Sequence, residues 1–253
     1  MKIKLLLLLF LLSSFVFSQD KDSLKKISDI KPEPKPISAV SKKIDRNPEI
    51  GIYFLAIKYG DIEVAKNSIY SLLQQHPDSI SYIDTLCRLY FSANAHAQTV
   101  LTAHDYLSKD PSNLFIRELL AISLGAMNKN KESLEEYENL YKQTKSLYHA
   151  YQIAVLEYVL KRYGECESSL NAVINDSTSN NSKVSINIDQ TKAQQVPLRA
   201  AALNVKGVME KDLNLMDKAK ADFIDALKVY PDFVLAKSNI EALNKKDQPK
   251  PGN

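Results

Sequence analysis

The chain has 253 residues, 45% of them hydrophobic and 25% charged, and its 33 basic and 30 acidic side chains leave a formal charge of +3. This is the composition of an ordinary folded protein, and so small a charge gives no field that would gather nucleic acid or an anionic membrane. Two cysteines, four histidines and six glycines are little material for metal clusters or phosphate-cradling loops.

The first element is a leader. Lys2 and Lys4 precede an apolar run over residues 5–17, broken only by Ser13 and Ser14. That run is shorter than the roughly 20 residues a bilayer-spanning helix needs. Val16-Phe17-Ser18 places modest side chains where a signal peptidase cuts, so residues 1–18 read as a signal peptide. Export to the periplasm is the expectation, with secretion as the alternative, and no integral span remains after cleavage. Residues 19–45 read as a flexible linker, because the alternating Pro32, Pro34 and Pro36 block helix and favour an extended chain. Residues 245–253, with Pro249 and Pro251, read as a disordered tail.

Between these ends, residues 46–244 are periodic. Gly60, Asn94 and Asn128 stand 34 residues apart, Pro77 and Pro111 keep the same step, and Asn214 and Pro231 repeat the offset of 17. A period of this length marks a helix–turn–helix array whose units bury their apolar faces by stacking. Five units align, over 46–79, 80–113, 114–147, 148–180 and 200–233. Gly60, Asn94, Asn128 and Asn214 fall between the paired helices, where a left-handed residue must end the first helix. Pro77-Asp78-Ser79, Asp110-Pro111-Ser112-Asn113 and Pro231-Asp232 end the second helices and offer caps to the next. Residues from Val234 to Leu243 read as a capping helix.

These residues resemble the tetratricopeptide repeat (TPR) family. Its pattern has a small residue in the first helix, an aromatic three places on, a small residue early in the second helix, and a proline near the end. The last unit matches best, with Gly207, Ala219, Phe223, Ala226 and Pro231. Ala65, Ile69, Leu72 and Pro77 carry the first unit, although bulky Tyr53 stands at its first small position. Cys87, Tyr90, Thr99 and Pro111 carry the second, and Ala121, Leu124, Ser133 and Tyr137 the third, with Lys145 in place of proline. The fourth has Val155 and Tyr158, then one turn residue fewer before Cys166 and Leu170. The resemblance implies an all-α fold, a TPR-like helix-turn-helix superhelix (an α-α solenoid) with a C-terminal capping helix. Cys87 and Cys166 lie two units apart and read as small buried hydrophobes rather than a disulfide.

The period fails once. Asn128 to Asn214 spans 86 residues where two periods make 68, which marks an insertion over 176–196. Val184-Ser185-Ile186-Asn187-Ile188 alternates apolar and polar, as a half-buried strand does. Three readings stand together: a packed lid, a disordered loop, or a strand that pairs with a partner.

No chemistry emerges from the motifs. His76, His96, His104 and His149 form no zinc spacing, and no phosphate-binding or nucleophile-elbow motif is present. No catalytic, cofactor-binding or metal residues are assigned, and the chain reads as a non-enzyme. In the resembling family the first helices line a concave ligand groove. Carried over, one row holds Ile50, Asp84, Glu118, Gln152 and Asn204, and a row one turn along holds Phe54, Arg88, Ile122, Leu156 and Val208. A polar stripe beside an apolar one suits a peptide with one apolar edge, and acid at Asp84 and Glu118 disfavours acidic tails. The apolar row is equally well read as core, or as covered by the insertion. The expected function is a protein–protein interaction scaffold of the cell envelope, with a protein or peptide partner and no nucleic acid. The alternative is a structural subunit of an envelope or secretion assembly that oligomerises through its outer helix faces.

Overall fold

A computed structural model describes residues 47–246 apart from Gln190. The expected signal peptide and linker lie outside the described residues, as does the expected tail beyond Lys246. Among the described residues are eleven α-helices: α1 (Pro48–Tyr59), α2 (Ile62–Gln75), α3 (Ile80–Ser92), α4 (His96–Lys109), α5 (Leu114–Ala126), α6 (Asn130–Thr144), α7 (Leu147–Val159), α8 (Tyr163–Asn175), α9 (Leu198–Asp212), α10 (Met216–Val229) and α11 (Val234–Lys246). Between α8 and α9 come a 3-10 turn (Ser177–Asn180) and two strands, β1 (Lys183–Asn187) and β2 (Ala193–Pro197). The helices form two compact units, one ending at Met127 and one beginning at Asn128, so α5 and α6 of the third repeat belong to different units.

Every turn inside a helical pair is made the same way. Gly60, Asn94, Asn128 and Asn214 all have positive φ, between 54° and 74°. In the first, second and fifth repeats the amide that follows the left-handed residue bonds back to the first helix: Asp61 to the Ala56 carbonyl, Ala95 to Tyr90, Leu215 to Glu210. This closes carbonyls that the helix end would otherwise leave open. In the fourth repeat Lys161 takes that conformation, at φ 60°, and Arg162 bonds back to Glu157. Lys161 is 33 residues after Asn128. The missing residue therefore lies one turn earlier than the sequence pattern places it, in the short Lys145-Ser146 connection between α6 and α7. Lys145 is itself left-handed, at φ 53°. The correction shifts the fourth repeat by one, and its small first-helix residue is Ala154, fully buried, rather than Val155.

With that register the columns are uniform. Ala65, Thr99, Ser133, Cys166 and Ala219, each five residues after the left-handed turn, are at most 1% exposed. Ile69, Ala103, Tyr137, Leu170 and Phe223 follow one turn on and are also buried. Helices approach to about 8–10 Å only where the side chains at the crossing are short.

In the N-terminal unit α1 packs on α2, α2 on α3, α3 on α4, and α5 on both α3 and α4. Two apolar clusters result, one around Ala65, Ile69, Leu72 and Tyr90, the other around Cys87, Ala103, Ile116 and Leu120. In the C-terminal unit α7 packs on α6, α8 and α9, and α9 also packs on α8, α10 and α11. One continuous core runs from Ala150 through Leu170, Met209 and Phe223 to Leu243.

The insertion folds into this core. β1 and β2 are antiparallel, with Val184 opposite Val196 and Ile186 opposite Gln194. Val184, Ile186 and Val196 turn their side chains into the C-terminal core. Asp189 makes the turn, accepting from the Thr191 and Lys192 amides at 2.7 and 2.8 Å. Gln194 then reaches the turn between α10 and α11: its Nε2 donates to the Asp232 carbonyl at 2.6 Å, and its Oε1 accepts from the Val234 amide at 3.1 Å. The inserted hairpin thus supplies a cap to the first turn of α11. Lys245 and Lys246, assigned to the tail from sequence, close that helix.

Gly207 tests the register. A Cβ built there would lie 2.7 Å from Phe223 Cε1 and 3.0 Å from the Ala219 carbonyl oxygen, with Phe223 fully buried. Gly207→Ala is expected to destabilise the protein by about 1–3 kcal/mol through overpacking, seen as a lower Tm. An unchanged Tm would contradict this helix crossing.

Candidate partner-binding faces

The N-terminal unit holds six of the groove residues. Ile50 and Phe54 lie on α1, Asp84 and Arg88 on α3, and Glu118 and Ile122 on α5. Phe54 is 59% exposed and the other five are partly exposed. Arg88 organises the face. Its Nε donates to Asp84 Oδ2 at 2.8 Å, and its guanidinium lies 4.0 Å from the centre of the Phe115 ring on α5. Asp and Arg stand four apart on one helix with the acid N-terminal, the favourable order. The pair is partly exposed, so it contributes well under 1 kcal/mol to stability. Its main effect is to fix where a guanidinium and an aromatic ring meet the solvent.

On α1, Tyr53 packs edge-on against Phe54 with ring centroids 5.4 Å apart. Burial, and then the negative charge of Asp84, raise the Tyr53 hydroxyl above the usual tyrosine pKa. The sequence rows include neither Tyr53 nor Phe115. Phe115 stands in the first turn of α5, three residues before Glu118, and nothing in its local sequence pairs it with Arg88. The acidic stripe expected at Asp84 is also altered, since Arg88 engages that carboxylate.

The C-terminal unit treats the same rows differently. Gln152, Leu156, Asn204 and Val208 are all buried, none above 9% exposed. The Asn204 amide oxygen accepts from Asn239 Nδ2 of α11 at 3.0 Å. On α7, every residue from His149 to Tyr158 is buried. With the corrected register, Tyr151 and Val155 replace Gln152 and Leu156 as the row positions, and both are buried. These four expected groove residues belong to the protein's own packing, whereas the six on the N-terminal unit are exposed or partly exposed.

Two of the four histidines raised as candidates for chemistry have hydrogen-bond partners. His149 Nδ1 lies 2.9 Å from Thr144 Oγ1, and His96 Nδ1 lies 3.4 Å from Ser123 Oγ, with burial lowering the His96 pKa. Among the described residues no group of three or more His, Cys, Asp or Glu side chains is placed to hold a metal ion. No helix among them is long and apolar enough to cross a membrane.

The sequence matches no family model and no curated protein. Solved structures do match in fold. YrrB, described as a TPR protein with an unusual peptide-binding site, aligns over 88% of this chain and 98% of its own at 13% identity and a TM-score of 0.60. A tetratricopeptide repeat protein from Parabacteroides merdae ATCC 43184 aligns over 80% of each chain at 15% identity and a TM-score of 0.58. The chain has the tetratricopeptide-repeat fold. MamA aligns over 81% of this chain and 96% of its own, at 11% identity and a TM-score of 0.56. In TPR terms the two cysteines sit in the small-residue columns, Cys87 in a first helix and Cys166 in a second.

Both thiols are free and fully buried. Burial pushes the Cys87 pKa up to about 11 and the Cys166 pKa up to about 12. Because the thiolate is the reactive form, neither should react with a disulfide reagent at pH 8 in the native protein, and both should react after unfolding. Rapid native labelling of either would contradict this packing.

Proposed function

We propose that this protein is an exported, non-enzymatic scaffold of the cell envelope that holds a peptide segment of a partner protein on the first-helix face of its N-terminal unit. One observation carries the reading: Phe54 stands exposed on α1, and α3 of the same unit carries a guanidinium fixed by Asp84 and Phe115, whereas the equivalent C-terminal rows are filled by the protein's own side chains. Projecting aromatic rings and planar guanidinium groups are the residue chemistry that dominates protein interfaces. Ile50 and Ile122 extend the apolar edge, and Asp84 and Glu118 give it a polar border. YrrB, which shares the fold, is described as having a peptide-binding site, and this supports a peptide as the class of partner. Export rests on the basic and apolar character of residues 1–18.

A structural-subunit reading has one observation in its favour. Ile52, Leu55 and Tyr59 are exposed along α1 at a spacing of three and four, with Tyr59 75% exposed. Light scattering separates the two, since a stable homo-oligomer favours the structural role.

For the scaffold, Phe54→Ala combined with Arg88→Glu is expected to weaken partner capture from the native envelope by tenfold or more. Circular dichroism should remain unchanged. Undiminished capture by the folded double variant would overturn the assignment of this face.

A further inference from the structure

The repeat register exposes an oddity in the C-terminal unit. Four residues before the left-handed turn, the repeats carry Ala56, Tyr90 and Leu124, all buried. The same position in the last two repeats holds Glu157 and Glu210, at 5% and 6% exposure. Burying a carboxylate is costly unless it is paired and hydrogen-bonded, and one oxygen of each, Oε2, is buried with no hydrogen-bond partner. Each glutamate faces a side chain eight residues after the turn, on the second helix of its own pair. Glu157 on α7 bonds Ser169 on α8, and Glu210 on α9 bonds Asp222 on α10.

The second pairing sets one carboxyl group against another in a buried crossing. Two carboxyl groups in contact hold one proton between them far more readily than two negative charges. Lys206, one turn from Glu210 on α9, lies 3.4 Å from Asp222 Oδ2 and offsets part of the charge. Lys218 on α10 is the other cation acting on Glu210. From the neighbouring elements, α7 brings the Tyr158 hydroxyl, which donates to Asp212, and α11 brings the neutral Asn239 to Asn204. Around Glu157 the charged groups are Arg162 and Glu165 of the α7–α8 turn and α8, with Glu138 of α6.

We propose that these two buried glutamates make the C-terminal unit a pH-responsive element, packed most tightly in mildly acidic surroundings and loosened as the medium turns alkaline. Burial first, and then the charge of Asp222, raise Glu210 from 4.5 to about 7, and burial raises Glu157 in the same direction. A folded-state pKa above the unfolded value means that folding takes up a proton. The destabilising charge is absent below about 4.5, grows as pH rises towards 7, and is complete above it. The α9–α10 crossing then carries an extra negative charge that its short side chains give no room to separate. An exported protein meets such changes directly, whereas a chain of apolar repeats would not respond to them.

Thermal unfolding of the full mature chain at pH 5.5, 7 and 8.5 tests this. The wild-type Tm is expected to fall by about 5 °C across the range, and E210Q should remove at least half of that fall. E157Q combined with E210Q should remove nearly all of it. Hydrogen exchange corrected for its intrinsic pH dependence should show the α10 amides opening more at pH 8.5 in wild type than in E210Q. Identical pH slopes for wild type and E210Q would overturn the proposal. Should E210Q fail to fold, carbon-13 titration of the wild-type glutamate carboxyls decides: a midpoint near 7 supports the proposal, and midpoints all below 5.5 overturn it.

Discussion

Helices in this chain come close only where their side chains are short, and that steric condition organises everything else. Ala65, Thr99, Ser133, Cys166 and Ala219 occupy one column of the second helices and are all buried. Gly207 shows how tight the condition is, since even a methyl group there would collide with the Phe223 ring. The left-handed residue at each inter-helix turn places the second helix so that its small residue meets the first. Gly60 and the three asparagines do this at low steric cost, and the surrounding packing makes Lys161 adopt the same conformation.

The same crossings decide which surfaces remain available. In the C-terminal unit α7 is buried at ten consecutive positions, and Asn239 occupies the amide of Asn204. The inserted hairpin adds Val184, Ile186 and Val196 to that core and caps α11 through Gln194. In the N-terminal unit the first-helix face stays open, and Arg88 is held in place on it by one carboxylate and one ring. The two units therefore differ in what their first-helix rows expose. The C-terminal rows are filled by packing, and the N-terminal rows leave Phe54 exposed.

Much of the fold was legible because periodic steric needs leave periodic residues. Glycine, asparagine and proline fixed the turns, and alanine-sized positions fixed the crossings. The one-residue deletion was misplaced because Lys145 and Lys161 look like ordinary surface lysines, and only backbone geometry shows that both are left-handed. That error moved Gln152 and Leu156 into rows that belong to Tyr151 and Val155. β1 showed its alternation, but β2 carries Gln194 on the face where a strand pattern would be apolar, so only Val196 hinted at a partner strand. The N-terminal face was half visible. Periodicity located Phe54, Asp84 and Arg88, yet the ring beneath Arg88 comes from α5, a contact across the fold that no local pattern encodes.

Partners are expected to meet the exposed N-terminal rows and not the filled C-terminal ones. A photo-activatable amino acid placed singly at position 54 and at position 156 in the cell tests it directly. A discrete cross-linked partner is expected from position 54 and none from position 156, which is buried within α7. Cross-linking from position 156 with none from position 54 would contradict it.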